Sequence, residues 1–425
     1  HSVFWLNQVV YHIVSIALHF IVTVLVFLVA KKVFKTTLLS ALSAFLFLFL
    51  SGYSEIVFWI SATGHLFNAM FILLSLLLFI MWIEQKKNLY FAFSMFSMIL
   101  ALLFHELGVI APLLAISYKL VKEESLNLEI LKKGRYMLLF LPLLPYLLLR
   151  FLAHSHWFNG DYSYNLLKLP YNLVGNTIGY FLLSFLGPAS LPLYQTLRNF
   201  SKEHLIFTLI AVAISLGILF VLTQVARAGL RKVDQKERKI IIFAVLFFII
   251  SLLPFLGLGN ISARYSYLAS VGFVLLLVLS IEKLYRYLQS SGRDISLTVA
   301  GVVVTLFCLL HVIQAQQIHS DWYEAGEKTK RFFISIDEQY SDYWSKERME
   351  LHFVNVPIRV GEAWVFPVGL PDALWLTFRS SNMQVFQWST VEQALNAVDG
   401  SLNEKVFVFD ESGKVSEKRK IQNAQ

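Results

Sequence analysis

Five short segments carry the ionisable side chains that could do chemistry. A histidine and a glutamate, His105 and Glu106, stand side by side in "LLFHELGVIAP" (102–112), between two apolar runs. An acid next to a potential cation is suited to moving a proton or holding an anion. The other four segments are "YSEIVFWISATGH" (53–65) with Glu55, Trp59 and His65, "LLLRFLAHSHWFNGDY" (147–162) with Arg150, His154, His156 and Asp161, "KEH" (202–204), and "ISARYSYLAS" (261–270) with Arg264, Tyr265 and Tyr267.

The elements that position these segments are membrane-spanning helices. The chain of 425 residues is 57% hydrophobic and has 37 Phe, a composition far from that of soluble domains. Apolar runs recur that are long enough, or nearly so, to cross about 30 Å of hydrocarbon as helices. The sequence predicts ten spans, at 5–30, 37–52, 66–83, 89–104, 108–121, 136–152, 204–226, 239–258, 265–284 and 295–317.

The distribution of charge argues for a membrane orientation and against nucleic-acid binding. Up to residue 317 the chain has 24 Lys and Arg against 12 Asp and Glu, whereas the remainder has 12 against 16. Alternate loops hold 19 of those 24 basic residues, as expected for the cytoplasmic side; they are 31–35, 84–87, 119–135, 227–239 and 283–293. We therefore expect all five chemical segments, and the C-terminal tail, on the opposite face.

Two features of the apolar part have simple interpretations. "LVGNTIGYFLLSFLG" (173–187) is only 15 residues long and contains Gly175, Asn176 and Gly179, so we expect a re-entrant or interfacial helix. The only cysteine, Cys308, lies in an apolar run and indicates no disulfide framework. No metal-ligand spacing such as HxxxH or HExxH occurs, so we predict no metal site from the residues.

After residue 317 the sequence changes character, which divides the chain into 1–317, 318–349 and 350–425. The middle part has the aromatic spacing of a juxtamembrane helix. The last part predicts a small α+β domain outside the membrane, with one helix whose capping box is "STVE" (389–392). Its strand-like runs are "LHFVNVPI" (351–358), "AWVFPVGL" (363–370), "MQVFQW" (383–388) and "KVFVFD" (405–410).

Buried charge indicates where a reaction would occur. Ionisable groups at membrane depth are costly unless they are paired or face water, so Glu106 and Arg264 should face a polar cavity. Transfer of a sugar from a lipid-linked phosphate would use such groups, since a carboxylate can deprotonate the acceptor hydroxyl. An Arg or a protonated His would bind the departing phosphate. No acid is needed, because phosphate leaves readily as an anion.

Several motifs together resemble a known family. They are "YHIVSIALHFIVTVLVFLVAKKVF" (11–34), "SEIVFWISATGHLFNAMFILLSLL" (54–77), "FHELGVIAPLLAISY" (104–118), "PYLLLR" (145–150) and "ARYSYLASVGFVLLL" (263–277). Their order and spacing resemble multi-pass GT-C glycosyltransferases, and within these the bacterial relatives of the transmembrane-and-TPR protein O-mannosyltransferases. The resemblance covers roughly residues 1–325.

The resemblance implies an enzyme of the bacterial cytoplasmic membrane with a GT-C-like fold. Its donor would be a polyprenyl-phosphate sugar, its acceptor a glycan, lipid or protein, and no nucleic acid would take part. Glu106 matches the acid of the family's Lys-Glu pair, with His105 in place of Lys, and Arg264 and Tyr265 match its Arg-Tyr motif. We expect Arg264, Tyr265 and His65 at the donor phosphate. No cofactor is certain, and the role of a divalent cation stays open.

The chain also departs from the family. In relatives the general base is an acid of the first outer loop, and the predicted topology together with the start at His1 leads us to expect that loop, with one more helix, upstream. Within the chain, Glu106, His105 and Glu55 are therefore supporting catalytic candidates. "TGHLFN" (63–68) stands where relatives often have Gly-Arg-x-Asp-Leu-Leu, and no TPR array follows.

Two other classes of function stay open at this point. A transporter or flippase of lipid-linked saccharides would also need buried charge, but its signature is a pair of broken helices in inverted repeats, and the sequence has one interrupted segment. A non-catalytic membrane protein with an outer interaction domain would account for the tail but not for Glu106.

Overall fold

The structure is a computed structural model of the chain. It describes residues 8–123, 135–154, 164–204, 234–290, 295–339, 344, 348–366, 369–399 and 403–418, together with 206–207, 209–210, 213 and 401. The chain forms two compact units, His1–Ala315 and Gln316–Gln425. The predicted span 204–226, and the segment around His156 and Asp161, lie largely or wholly outside the described residues.

The first unit is helical. Within its described residues the helices are α1 (Gln8–Phe34), α2 (Thr37–Phe49), α3 (Ser54–Phe58), α4 (Thr63–Gln85), α5 (Asn88–Phe104), α6 (Ala111–Glu123), α7 (Leu143–Leu152), α8 (Leu169–Leu186), α9 (Ser190–Glu203), α10 (Gln235–Leu256) and α11 (Ala269–Ser290). A twelfth helix, α12 (Ser296–Asp337), begins in this unit and continues into the second. The apolar core lies where α1, α4, α6, α10 and α11 pack together, around side chains such as Val22, Leu73, Leu114, Phe247 and Val274.

The chain is a helical membrane protein, but the prediction of ten spans is not met. Among the described residues, five helical segments are long and apolar enough to cross a membrane: 9–34, 60–85, 135–152, 235–256 and 296–337. A sixth is possible if α2 and the helical turns of 51–58, which meet at a bend of 54°, form one span.

The other predicted spans fail for physical reasons. The run 89–104 folds as α5, which has 17 residues, and the run 108–121 folds as a 3₁₀ turn followed by the 13-residue α6. The run 265–284 begins with a 3₁₀ turn, and α11, which follows it, carries Glu282, Lys283 and Arg286 in its second half. The first two runs are thus shorter than the roughly 20 residues that a helix needs to cross the hydrocarbon, and the third is divided between a turn and a helix that becomes charged.

The segments that carry the candidate residues lie at breaks between helices, where short 3₁₀ turns occur. A 3₁₀ turn at Ser51–Tyr53 and another at Ile60–Ala62 flank α3, which carries Glu55. A 3₁₀ turn at Glu106–Ile110 links α5 to α6, and one at Ala263–Ser266 precedes α11. Of the residues 173–187, predicted as a re-entrant or interfacial helix, all but Gly187 fall in the continuous helix α8, whose buried face includes Asn172, Asn176 and Gly179.

The second unit is an α/β domain, and not the α+β domain that was predicted. Its main sheet has the strand order β4-β1-β5-β6, formed by β1 (Met349–Val354), β4 (Met383–Trp388), β5 (Glu404–Phe409) and β6 (Val415–Lys418). β1 is parallel to both β4 and β5, because the helices α13 (Leu370–Phe378) and α14 (Val391–Ala397) form the crossovers. A short hairpin, β2 (Arg359–Val360) and β3 (Ala363–Trp364), lies outside this sheet.

The end of α12 packs on the sheet of this domain. Phe332 and Ile336 of α12 are fully buried together with Leu351 and Phe353 of β1 and Phe407 of β5. β1 is an inner strand whose side chains are buried on both faces of the sheet, Leu351 and Phe353 with the end of α12 and Val354 with Ala394 of α14. The predicted last span and the first part of the predicted juxtamembrane helix are thus one helix, which ends at Asp337.

Candidate functional site

An ion pair between Glu55 and Arg264 joins two segments that are 209 residues apart in the sequence. The Arg264 Nη1 atom lies 3.0 Å from Glu55 Oε1. The backbone N–H of Arg264 and the hydroxyl of Ser262 both donate to Glu55 Oε2, at 3.1 and 2.9 Å. The side chain of Arg264 is only 21% exposed and that of Glu55 only 14%. Charge-assisted hydrogen bonds of this kind are roughly twice as strong as neutral ones. Glu55 therefore fixes both the backbone and the guanidinium of Arg264.

Aromatic rings surround the Arg264 guanidinium. Its central carbon lies 5.4 Å from the Trp59 ring centre and 5.0 Å from that of Tyr265. Nη2 donates to the Tyr265 hydroxyl at 3.2 Å, and the buried Tyr265 ring stacks on Phe255 at 4.0 Å with an angle of 8°. Such contacts attract a cation to the ring faces and limit the orientations of the guanidinium.

Two histidines lie beside this pair. The rings of His65, in the first turn of α4, and His105, just after α5, have centres 4.0 Å apart. His105 Nδ1 accepts a hydrogen bond from the Leu107 N–H and so caps the 3₁₀ turn, while the backbone carbonyl of His105 accepts one from the Asn68 amide. Because Nδ1 is an acceptor, the proton of the neutral imidazole lies on Nε2. The His65 ring centre is also 6.3 Å from that of Tyr265.

The protonation of His105 is set by burial and by its charged neighbours. Burial lowers the pKa of His105, the Glu106 carboxylate opposes this by raising the pKa, and the Arg264 guanidinium lowers it again. The imidazole is therefore neutral at pH 7. It lies within electrostatic reach of both Glu106 and Arg264, which connects the two halves of the cluster.

Glu106 makes a second, looser ion pair. Its Oε2 atom lies 4.0 Å from Arg150 Nη1, at the outer limit for an ion pair, and Arg150 donates to the Tyr146 hydroxyl at 2.8 Å. The side chains of Glu106 and Arg150 are 38% and 23% exposed. Ion pairs with such exposure contribute little stability, typically about 0–1 kcal/mol. Glu106 is therefore less constrained than Glu55.

All six predicted site residues lie in this cluster, and Arg150 joins them. It consists of Glu55, Arg264, Tyr265, His65, His105, Glu106 and Arg150, contributed by four separate parts of the chain. With neutral histidines the two carboxylates and two guanidiniums sum to a formal charge of zero. The cluster therefore brings together two guanidiniums, two imidazoles and two carboxylates, and the carboxylate of Glu106 is the more exposed of the two.

Sequence reasoning missed several polar residues that support the cluster. Asn172 and Arg198 lie outside the motifs by which the site was predicted, and Ser262 lies within the segment 261–270 but was not singled out; all three are hydrogen-bonded at or near the Arg264 loop. Two buried contacts within the bundle were also missed, His19 Nδ1 with the Tyr267 hydroxyl at 2.8 Å and His311 Nδ1 with the Ser51 hydroxyl at 2.8 Å. Asn172, His19 and His311 could have been found from the sequence because each is a polar residue within an apolar helix, a position that indicates a specific hydrogen-bond partner.

A metal centre is not formed by the part of the chain that the structure describes. Within it, no group of three or more His, Cys, Asp or Glu side chains is arranged to hold a metal ion.

No family model and no curated protein matches the chain. The resemblance to GT-C glycosyltransferases therefore depends on the motifs quoted above.

The same substitution at the two carboxylates should have different effects. Glu55→Gln removes the charge that compensates Arg264, and we expect it to lower the free energy of unfolding by about 1–3 kcal/mol. Glu106→Gln should cost less than about 1 kcal/mol, because its ion pair is long and partly exposed. Thermal unfolding in detergent of both variants and of the unsubstituted protein measures the difference, and equal losses would contradict the assigned pairing.

His105 should make stability depend on pH. Since its pKa is lower in the folded than in the unfolded chain, the unfolded chain binds more protons below about pH 6.5. Stability is then retained above that pH and lost as the pH falls towards the lowered pKa. His105→Asn keeps a capping acceptor but cannot titrate. Between pH 7.5 and 5.0 the melting temperature should therefore fall more for the unsubstituted protein than for His105→Asn. Equal falls would refute the lowered pKa of His105 in the folded protein.

Proposed function

We propose that the protein is an inverting glycosyltransferase that uses a polyprenyl-phosphate-linked sugar. The acceptor is a hydroxyl group at the outer face of the bacterial cytoplasmic membrane. The observation that supports this most is the meeting of Arg264, His65, His105 and Glu106 in one partly buried cluster at the ends of apolar helices. A cation for the departing phosphate and a carboxylate for the acceptor hydroxyl are the groups that sugar transfer from a lipid-linked phosphate requires.

Arg264 has the central role in donor binding. When the acceptor oxygen forms a bond to the anomeric carbon, the bond from that carbon to the phosphate oxygen breaks, and polyprenyl phosphate leaves with both bonding electrons. Negative charge on the phosphate grows during this step, so a fixed cation stabilises the transition state more than the bound donor. The ion pair with Glu55 and the rings of Trp59 and Tyr265 hold the guanidinium in place beforehand.

The histidines and Glu106 complete the proposal. His65 and His105 offer N–H donors to the phosphate oxygens beside Arg264, and the Tyr265 ring lies near that of His65 while its hydroxyl accepts from Arg264. Glu55 is a positioning residue, since both of its carboxylate oxygens are bonded to the Arg264 loop. Glu106 is more exposed and is less tightly paired, so it is better suited to orient the acceptor hydroxyl. The proton of that hydroxyl passes to a carboxylate as the new bond forms.

Donor binding provides the test. Arg264→Gln removes the cation while keeping an amide donor, and we expect the Kd for undecaprenyl-phosphoryl mannose or glucose to rise about 10- to 100-fold. This corresponds to a charge-assisted bond of about 1.5–3 kcal/mol. Binding would be measured on protein in nanodiscs, and transfer in membranes would be measured with the radiolabelled donors.

The matched control is Arg286→Gln, which makes the same change in an exposed ion pair on α11. It should leave the Kd unchanged. An Arg264→Gln variant that binds both donors as tightly as the unsubstituted protein would overturn the role of Arg264, and absence of donor binding to any form would overturn the proposed function.

A further inference from the structure

A buried arginine on α9 binds two asparagines on α8. Arg198 Nη1 donates to Asn176 Oδ1 at 2.8 Å, and Nη2 donates to Asn172 Oδ1 at 2.6 Å. The two asparagines are one helical turn apart and almost completely buried, and Arg198 is 7% exposed. Bonds from a guanidinium to two amide oxygens fix the orientation of both amides, because each side chain then directs its NH₂ group the opposite way.

Those NH₂ groups bind the carboxyl end of α10. Asn176 Nδ2 donates to the carbonyls of Leu256 and Leu258 at 2.9 Å and lies 3.3 Å from that of Phe255. Asn172 Nδ2 donates to the Gly257 carbonyl at 3.0 Å. The last carbonyls of a helix have no partner within it, so these two side chains satisfy groups that would otherwise be costly to bury.

The chain that leaves α10 leads directly to the candidate site. Phe255 carries the ring on which Tyr265 stacks, and Leu258 forms a β-bridge with Tyr164, whose hydroxyl donates to the Pro254 carbonyl. Ser262 lies four residues after Leu258, and its hydroxyl donates a hydrogen bond to the Glu55 carboxylate. Arg264 lies two residues further along the chain. Segment 255–264 is therefore held at one end by the amides of α8 and at the other by Glu55.

We infer that Arg198 is a positioning residue for Arg264, acting through Asn172 and Asn176. The contacts fix the position of segment 255–264, and the importance of that position for donor binding rests on the function proposed above. Without the guanidinium, two buried amide oxygens lose their donor, and the amides can turn so that the α10 carbonyls lose theirs. The consequence is a displaced Arg264 backbone in an otherwise folded bundle.

Hydrogen exchange tests the structural half of this inference without any ligand. Arg198→Met is similar in length and apolar, and Asn176→Asp keeps an acceptor for Arg198 but removes the donor to three carbonyls. Both should speed amide exchange in 256–264, including the Arg264 N–H that donates to Glu55. Exchange in α4 should stay unchanged. Arg286→Met is the control. Unchanged exchange in 256–264, or faster exchange throughout the bundle, would overturn the inference.

A double-mutant cycle tests the functional half. Arg198→Met should raise the Kd for undecaprenyl-phosphoryl mannose or glucose about 5- to 10-fold, about 1–1.4 kcal/mol, and should cause no further rise in an Arg264→Gln background. A merely structural role would raise the Kd by the same factor in both backgrounds, which would contradict action through Arg264. If no form binds the donor, the proposed function fails, and hydrogen exchange alone decides the positioning of segment 255–264.

Discussion

The ion pair between Glu55 and Arg264 is the interaction on which the arrangement of the candidate site depends. Unpaired charge is expensive near hydrocarbon, so a guanidinium at the end of apolar helices must have compensating groups. The Glu55 carboxylate accepts hydrogen bonds from both the guanidinium and the backbone N–H of Arg264. The hydroxyl of Ser262 donates a third bond to the same carboxylate. The helical turn that carries Glu55 is thereby joined to the turn before α11, and Tyr265 is brought beside His65.

A second layer of polar contacts supports this pair from within the bundle. Apolar packing between membrane helices does not specify where a loop must lie, whereas a hydrogen bond to a buried carbonyl does. Asn176 alone approaches three carbonyls at the end of α10, and Arg198 fixes the direction of its amide. Glu106 differs, because its long contact with Arg150 leaves it partly exposed. The site thus combines a fixed cation with a less constrained carboxylate.

Much of this molecule could be predicted from its sequence, and the failures have physical causes. Hydropathy identified a helical membrane protein, and the structure brings together residues of four of the five predicted segments, namely Glu55, His105, Arg150 and Arg264. Counting apolar runs as spans failed for α5 and α6, which with 17 and 13 residues are short for a membrane crossing, and for α11, which carries charge in its second half. In the tail, three predicted strands correspond to β1, β4 and β5, but 363–370 forms only β3 and then α13 begins. Thr390, not Ser389, caps α14. The Glu55–Arg264 pairing joins residues 209 positions apart, which local patterns do not report.

The most direct test of a lipid-linked phosphate bound at this cluster is photo-crosslinking. A polyprenyl monophosphate with a diazirine next to its phosphate would be irradiated with the protein in nanodiscs, and the modified peptides identified by mass spectrometry. The account predicts adducts in 53–65, 104–110 and 261–267 that an excess of unmodified polyprenyl phosphate abolishes. Adducts confined to exposed helix faces such as that of Leu306 and Ile313, insensitive to competition, would contradict it.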